Sequence, residues 1–210
     1  MKRITKFSIL IALCAFSLQS MAQKPEPVYS VVRQIHNFDW YEQQAKAWKQ
    51  EIDNGSKDKM AWVYWFHANR YAAFADAKKL EESKAPYFQK AETILKMAEK
   101  AIPNSFELLY LQTKDNTGGH KSGDIILKAQ AMKPYDPLIM PELMNHYQFD
   151  QDKAAIETVS QKWIESNEMP QELLATAYNN LISLEPNAIL LVNGDNDTYP
   201  AWVLQAGEQI

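Results

Sequence analysis

The stretch AETILKMAEKAIP occupies residues 91–103, and SGDIILKAQAMKP occupies residues 122–134. Ala91, Leu95, Ala98 and Pro103 lie at offsets 0, 4, 7 and 12; Ser122, Ile126, Ala129 and Pro134 repeat those offsets 31 residues later. Offsets 0, 4 and 7 share one face of an α-helix. Small side chains on that face admit a neighbouring helix closely, and the proline, which has no N–H to donate, closes the unit.

Working outward, helical spacing continues in both directions. Trp40, Ala45, Trp48 and Ile52 share one face, and Asn54-Gly55-Ser56 stops that helix. Residues 58–76 are apolar around much of their circumference, with Trp62, Trp65, Phe66, Tyr71, Ala72 and Phe74, so this helix packs on more than one side. A polar stretch at 78–83 leads to Pro86. Residues 106–111 supply a further helix, followed by a turn at Gly118-Gly119; residues 137–147 and 153–164 form another pair, and Pro170 opens a helix through Leu184.

The small-large-small-proline pattern resembles the second helix of a tetratricopeptide hairpin, over about residues 40–184. The resemblance implies an all-α fold, an α-solenoid of stacked hairpins whose concave face holds a protein or peptide partner. The aromatic, leucine and glycine spacing expected of first helices is degenerate here, which leaves an irregular α-helical domain with proline-marked turns as the competing reading.

The N-terminus reads as an export signal. Lys2, Arg3 and Lys6 precede an apolar run at 7–18, and Ser20-Met21-Ala22 has the small-x-small form of a cleavage site. The expected organisation is a signal peptide at 1–22, a proline-bearing tether at 23–37, a helical repeat domain at 38–185 and a C-terminal unit at 186–210. The one cysteine, Cys14, falls inside the signal, so the exported chain would carry neither disulfides nor a thiolate metal site. Taking Lys2, Arg3 and Lys6 from the 22 basic residues leaves 19 against 26 acidic ones, a net of −7. Such a chain lacks the basic surface of a nucleic-acid binder. No later stretch approaches the roughly 20 apolar residues of a membrane span. The expected location is periplasmic or secreted.

The C-terminal unit reads strand, acidic loop, helix. Ile189-Leu190-Leu191-Val192 is a short apolar run, Asn193 to Asp197 are turn formers, and Thr198 can cap a helix through Leu204. Asn193, Gly194, Asp195, Asn196, Asp197 and Thr198 form a candidate ligand-binding loop ahead of a helix N-terminus. Asp195 and Asp197 can both turn to one divalent cation, although the glycine and distal glutamate of a calcium loop are absent. The same residues equally make side-chain turns and a helix cap. A strand also needs a partner, from another molecule or from a longer relative in which an α/β domain continues past residue 210.

The segment NAILLVNGDNDTYPAWVLQ at 187–205 is similar to one in the soluble part of large bacterial envelope proteins whose membrane half is related to protein O-mannosyltransferases. In that family the transfer chemistry is attributed to the membrane portion, so the resemblance assigns no catalytic residue here. No glycine-flanked serine nucleophile or close histidine pair appears either. Glu142 and His146 share a helical face at i, i+4, as a metal pair or, more simply, as an ion pair. The aromatic residues at 40–74 read as core, with Tyr41 and Tyr64 as candidates to face a groove. The expected function is that of a non-catalytic, exported interaction scaffold in the cell envelope. The alternative is a ligand- or divalent-metal-binding module associated with an envelope glycosyltransferase-like system.

Overall fold

A computed structural model describes residues 25–75, 85–114 and 121–208. The helices are α1 (Phe38–Asp53), α2 (Met60–Ala75), α3 (Ala85–Ala101), α4 (Phe106–Thr113), α5 (Lys121–Met132), α6 (Met140–Asp150), α7 (Lys153–Ser166), α8 (Gln171–Ile182) and α9 (Asp195–Gly207), with a 3-10 turn at Pro137–Ile139 before α6. The fold is all-α. Helices consecutive in sequence pack as hairpins: α2 lies between α1 and α3, α4 packs on α5, α6 on α7, and α9 on both α7 and α8. The result is a solenoid-like array. The expected export signal, the polar stretch at 78–83 and the Gly118-Gly119 turn lie outside the described residues.

Several local features recur at residues 31 positions apart. Ala98 and Ala129 are fully buried, and Ala91, Leu95 and Ile126 are buried. Beyond each alanine the chain turns in the same way: the amide of Ile102 donates to the Ala98 carbonyl and that of Lys133 to the Ala129 carbonyl. The residue after each proline, Asn104 or Tyr135, then takes a left-handed conformation, at φ 53° and 56°. Ser105 and Asp136, also 31 apart, cap the next helical turn, accepting from the amides of Leu108 and Leu138 respectively.

One core runs through the array, from Val28 and Tyr41 through the Trp62, Trp65 and Phe66 cluster of α2 to Trp163 and Val203. As expected of a helix packed on several sides, α2 buries ten of its sixteen residues. A smaller cluster of Ala177, Leu181, Ala201 and Leu204 joins α8 to α9.

Two segments differ from expectation. Residues 25–36, expected to form a tether, lie against α1 and α2 as a strap. Val28 is 1% exposed, the Glu26 amide donates to Gln44 Oε1 at 2.8 Å, and Trp48 Nε1 donates to the Glu26 carbonyl at 2.8 Å. The second is the apolar run at 189–192, where no strand forms. Residues 188–193 have no regular structure, and Ile189 and Leu191 are 87% and 89% exposed. With no strand alongside, their main-chain groups face solvent, and only Leu190 turns inward, onto the α8–α9 cluster. The helix beyond starts earlier than expected, at Asp195, and is firmly docked: Pro200, Ala201, Val203 and Leu204 are buried. Close contact with α7 runs through Gly207, where a Cβ would come within 2.9 Å of Ile164 Cδ1 and 3.2 Å of Ser160 Cβ.

Candidate functional site

Helices α2, α4 and α6 each contribute one face to a common cavity of about 460 Å³, bounded by the strap on one side and by α7, the 168–170 connection, the start of α8 and the start of α9 on the other. The spacing of Met60, Tyr64 and His67 on α2 brings these residues to that face, and Tyr110 with Lys114 does the same from the end of α4. A wider cleft of about 690 Å³ opens elsewhere, between α1, α2 and α3, with Lys46, Lys49 and Lys90 along it. Only the first gathers side chains from both ends of the described chain.

Its floor is a hydrogen-bonded line. His67 is buried; its Nδ1 donates to the Val28 carbonyl at 2.7 Å, and its Nε2 accepts from the Tyr110 hydroxyl at 2.8 Å. Burial drives the imidazole pKa down to about 3, against a smaller opposing effect of the Val28 carbonyl, so the ring is neutral and both nitrogens are engaged. Burial likewise raises the pKa of Tyr110 far above the ordinary phenol value. Neither group is placed to exchange protons with a ligand near neutral pH.

Beside this line sits an ion pair between Lys114 and Glu142, with side chains 22% and 18% exposed. Burial alone would lower the lysine pKa, but the Glu142 carboxylate, helped by Tyr110 and Tyr71, outweighs it and holds the ammonium protonated. The second carboxylate oxygen, Glu142 Oε2, is buried and meets no donor among the described residues. Further out, Lys133 pairs with Glu107 at 2.9 Å and Arg33 with Glu168. Aromatic rings complete the wall: Tyr199 packs on Trp163 with centroids 5.5 Å apart, and its hydroxyl accepts from Asn145 Nδ2 at 2.8 Å.

Of the loop residues singled out by sequence, only Asp195 lines this cavity. Gly194 is the N-cap of α9 at φ 97° and ψ −178°. Asp197 and Thr198 are engaged in starting the helix: the Asn193 amide donates to Asp197 Oδ2 at 3.3 Å, and Thr198 Oγ1 donates to the Gly194 carbonyl at 2.8 Å. Asn193 and Asn196 are exposed. Among the described residues no three His, Cys, Asp or Glu side chains come together as a metal site.

Glu142 and His146 do not pair. Glu142 turns to Lys114, while His146 Nε2 lies 3.6 Å from Asp150 on its own helix. Tyr64 faces this cavity, and Tyr41, though 0% exposed, is among the residues lining the wider cleft. Sequence reasoning passed over Arg33, Lys114, Lys133 and Glu168. Each reads as an ordinary surface charge until tertiary packing brings it beside a carboxylate or cation far along the chain.

At the far end of this site, a family model described as TMEM260-associated domain 2 matches residues 173–210. The matched span takes in most of α8, the irregular connection and α9, and therefore Asp195, Tyr199 and Pro200 of the cavity wall. No curated protein and no solved structure matches the chain. Among the described residues no helix is long and apolar enough to cross a membrane.

Proposed function

We propose that the chain is an exported, non-catalytic helical-repeat protein, similar to tetratricopeptide arrays, that acts as a protein–protein interaction scaffold in the bacterial cell envelope. The repeat reading is supported by the paired features 31 residues apart: buried Ala98 and Ala129, left-handed Asn104 and Tyr135, and capping Ser105 and Asp136. The observation that carries the function is the convergence of α2, α4 and α6 on one cavity that combines apolar, aromatic and charged groups. Its most perturbed groups are locked: His67 by two hydrogen bonds and Lys114 by Glu142. That suits binding rather than turnover. Pull-down from envelope extract with the intact protein as bait, followed by cross-linking from position 64 or 199, tests the reading. A defined protein partner cross-linked at those positions is expected; a folded bait that repeatedly retains none overturns it.

The alternative, a ligand- or divalent-metal-binding module of an envelope glycosyltransferase-like system, draws on Asp195, which stands both in the cavity wall and within the span matched by the family model. The resemblance of the 187–205 segment to O-mannosyltransferase-related envelope proteins favours the same association. Calcium or magnesium titration followed by melting temperature tests it. A stabilising shift lost in the double variant Asp195→Ala, Asp197→Ala supports this reading, and no shift removes the metal.

A further inference from the structure

We infer that the cavity receives an alkylammonium group, presented as a lysine side chain by the partner of the scaffold proposed above. The inference rests on that reading and deepens it. Three ion pairs around the cavity close on themselves: Arg33 with Glu168, Lys114 with Glu142 and Lys133 with Glu107. Two wall carboxylates, Asp136 and Asp195, have no cationic partner among the described residues, so the lining carries surplus negative charge. Asp136 spends one oxygen on the Leu138 amide, at 3.1 Å. Asp195 stands at the rim with no such bond among the described residues.

Carboxylate oxygens only accept, so Asp136 and Asp195 call for N–H or O–H donors, and an ammonium brings three of them together with the positive charge those two groups lack. The aromatic side chains Tyr64, Trp163 and Tyr199 suit the rest of such a ligand. Their faces attract a cation and their bodies pack against a methylene stem. A volume of about 460 Å³ accommodates one long side chain with a turn of its backbone. The chain's formal net charge of −4 adds a long-range bias toward basic partners.

The test compares three probes against the intact protein by ligand-observed nuclear magnetic resonance: Nα-acetyl-lysine methylamide, its norleucine counterpart, which keeps the stem and loses the charge, and maltose as a neutral polyol. The lysine probe should bind at least about tenfold more tightly than norleucine. Asp195→Asn, at an exposed position and with its circular dichroism spectrum checked against the native protein as a fold control, should weaken the lysine probe by about fivefold and leave norleucine unaffected. Equal binding of lysine and norleucine, preference for maltose, or an unchanged lysine affinity in Asp195→Asn overturns the inference. Retention of a partner in the pull-down alongside any of those results fells the lysine assignment alone. Absence of both partner and probe binding fells the scaffold reading with it.

Discussion

The neutral imidazole of His67, on α2, donates to the main-chain carbonyl of Val28, 2.7 Å away and 39 residues earlier in the sequence. This bond ties the strap to the array and forms one end of the cavity floor. Folding keeps the ring unprotonated at a pKa of about 3, whereas the same ring in the unfolded chain titrates near 6.5. The unfolded state therefore takes up a proton that the folded state refuses. The stability contribution is complete above about pH 6.5 and is lost as pH falls toward about 3, at up to about 1.4 kcal/mol per pH unit. Urea unfolding between pH 7 and pH 4.5 should show this slope. His67→Gln, less stable at pH 7, should have a visibly flatter dependence over the same interval.

Tyr110→Phe removes the hydroxyl that donates to His67 Nε2 while keeping the ring. The nitrogen is left buried without a donor, which should cost about 1–3 kcal/mol. Chemical denaturation measures this directly. Because the ring stays in place, the near-ultraviolet circular dichroism of the aromatic core should change little.

Ala98→Leu and Ala129→Leu each push a branched side chain into the contact between neighbouring helices, where the native residue is 0% exposed. Overpacking should cost about 1–3 kcal/mol at either site. Met97→Ala, at an adjacent position that is 43% exposed, should stay within about 0.5 kcal/mol of the native protein. Similar losses at Ala98 and Ala129 would reflect the equivalence of two positions 31 residues apart; melting curves of the three variants make the comparison.

Lys114→Met should be strongly destabilising, by about 3 kcal/mol or more, because Glu142 is left buried as an uncompensated charge. Adding Glu142→Leu removes that charge and should recover a substantial part of the loss. A double-mutant cycle by urea denaturation reads the coupling. Additive losses would show that the two groups act independently.

Gly194→Ala meets no atom within 4 Å of the added Cβ, so crowding has no part in its effect. The backbone, at φ 97° and ψ −178°, lies in a region essentially restricted to glycine. A cost of about 1–3 kcal/mol is expected, concentrated at the start of α9. Hydrogen exchange should accordingly speed up across the first turns of α9 and leave α2 unchanged.

The sequence determined what depends on local spacing. Offsets of 0, 4 and 7 with a closing proline are a helix face with a stop, so hairpin after hairpin could be read without coordinates, and Ala98 and Ala129 are buried where that spacing puts them. The same local logic overreached at Ile189 to Val192. An apolar run signals a strand only where another strand exists to take its hydrogen bonds, and no residue within the run reports on that.

Long-range geometry was decided by the tertiary structure. Lys114 meets Glu142 across 28 positions and His67 meets Tyr110 across 43. A lone lysine or glutamate carries no mark of a partner so far away. The strap shows why most plainly: residues 25–36 have no periodicity to give them away, and Val28 is buried only because α1 and α2 present Gln44, Trp48 and His67 to bind the main chain of Glu26 and Val28.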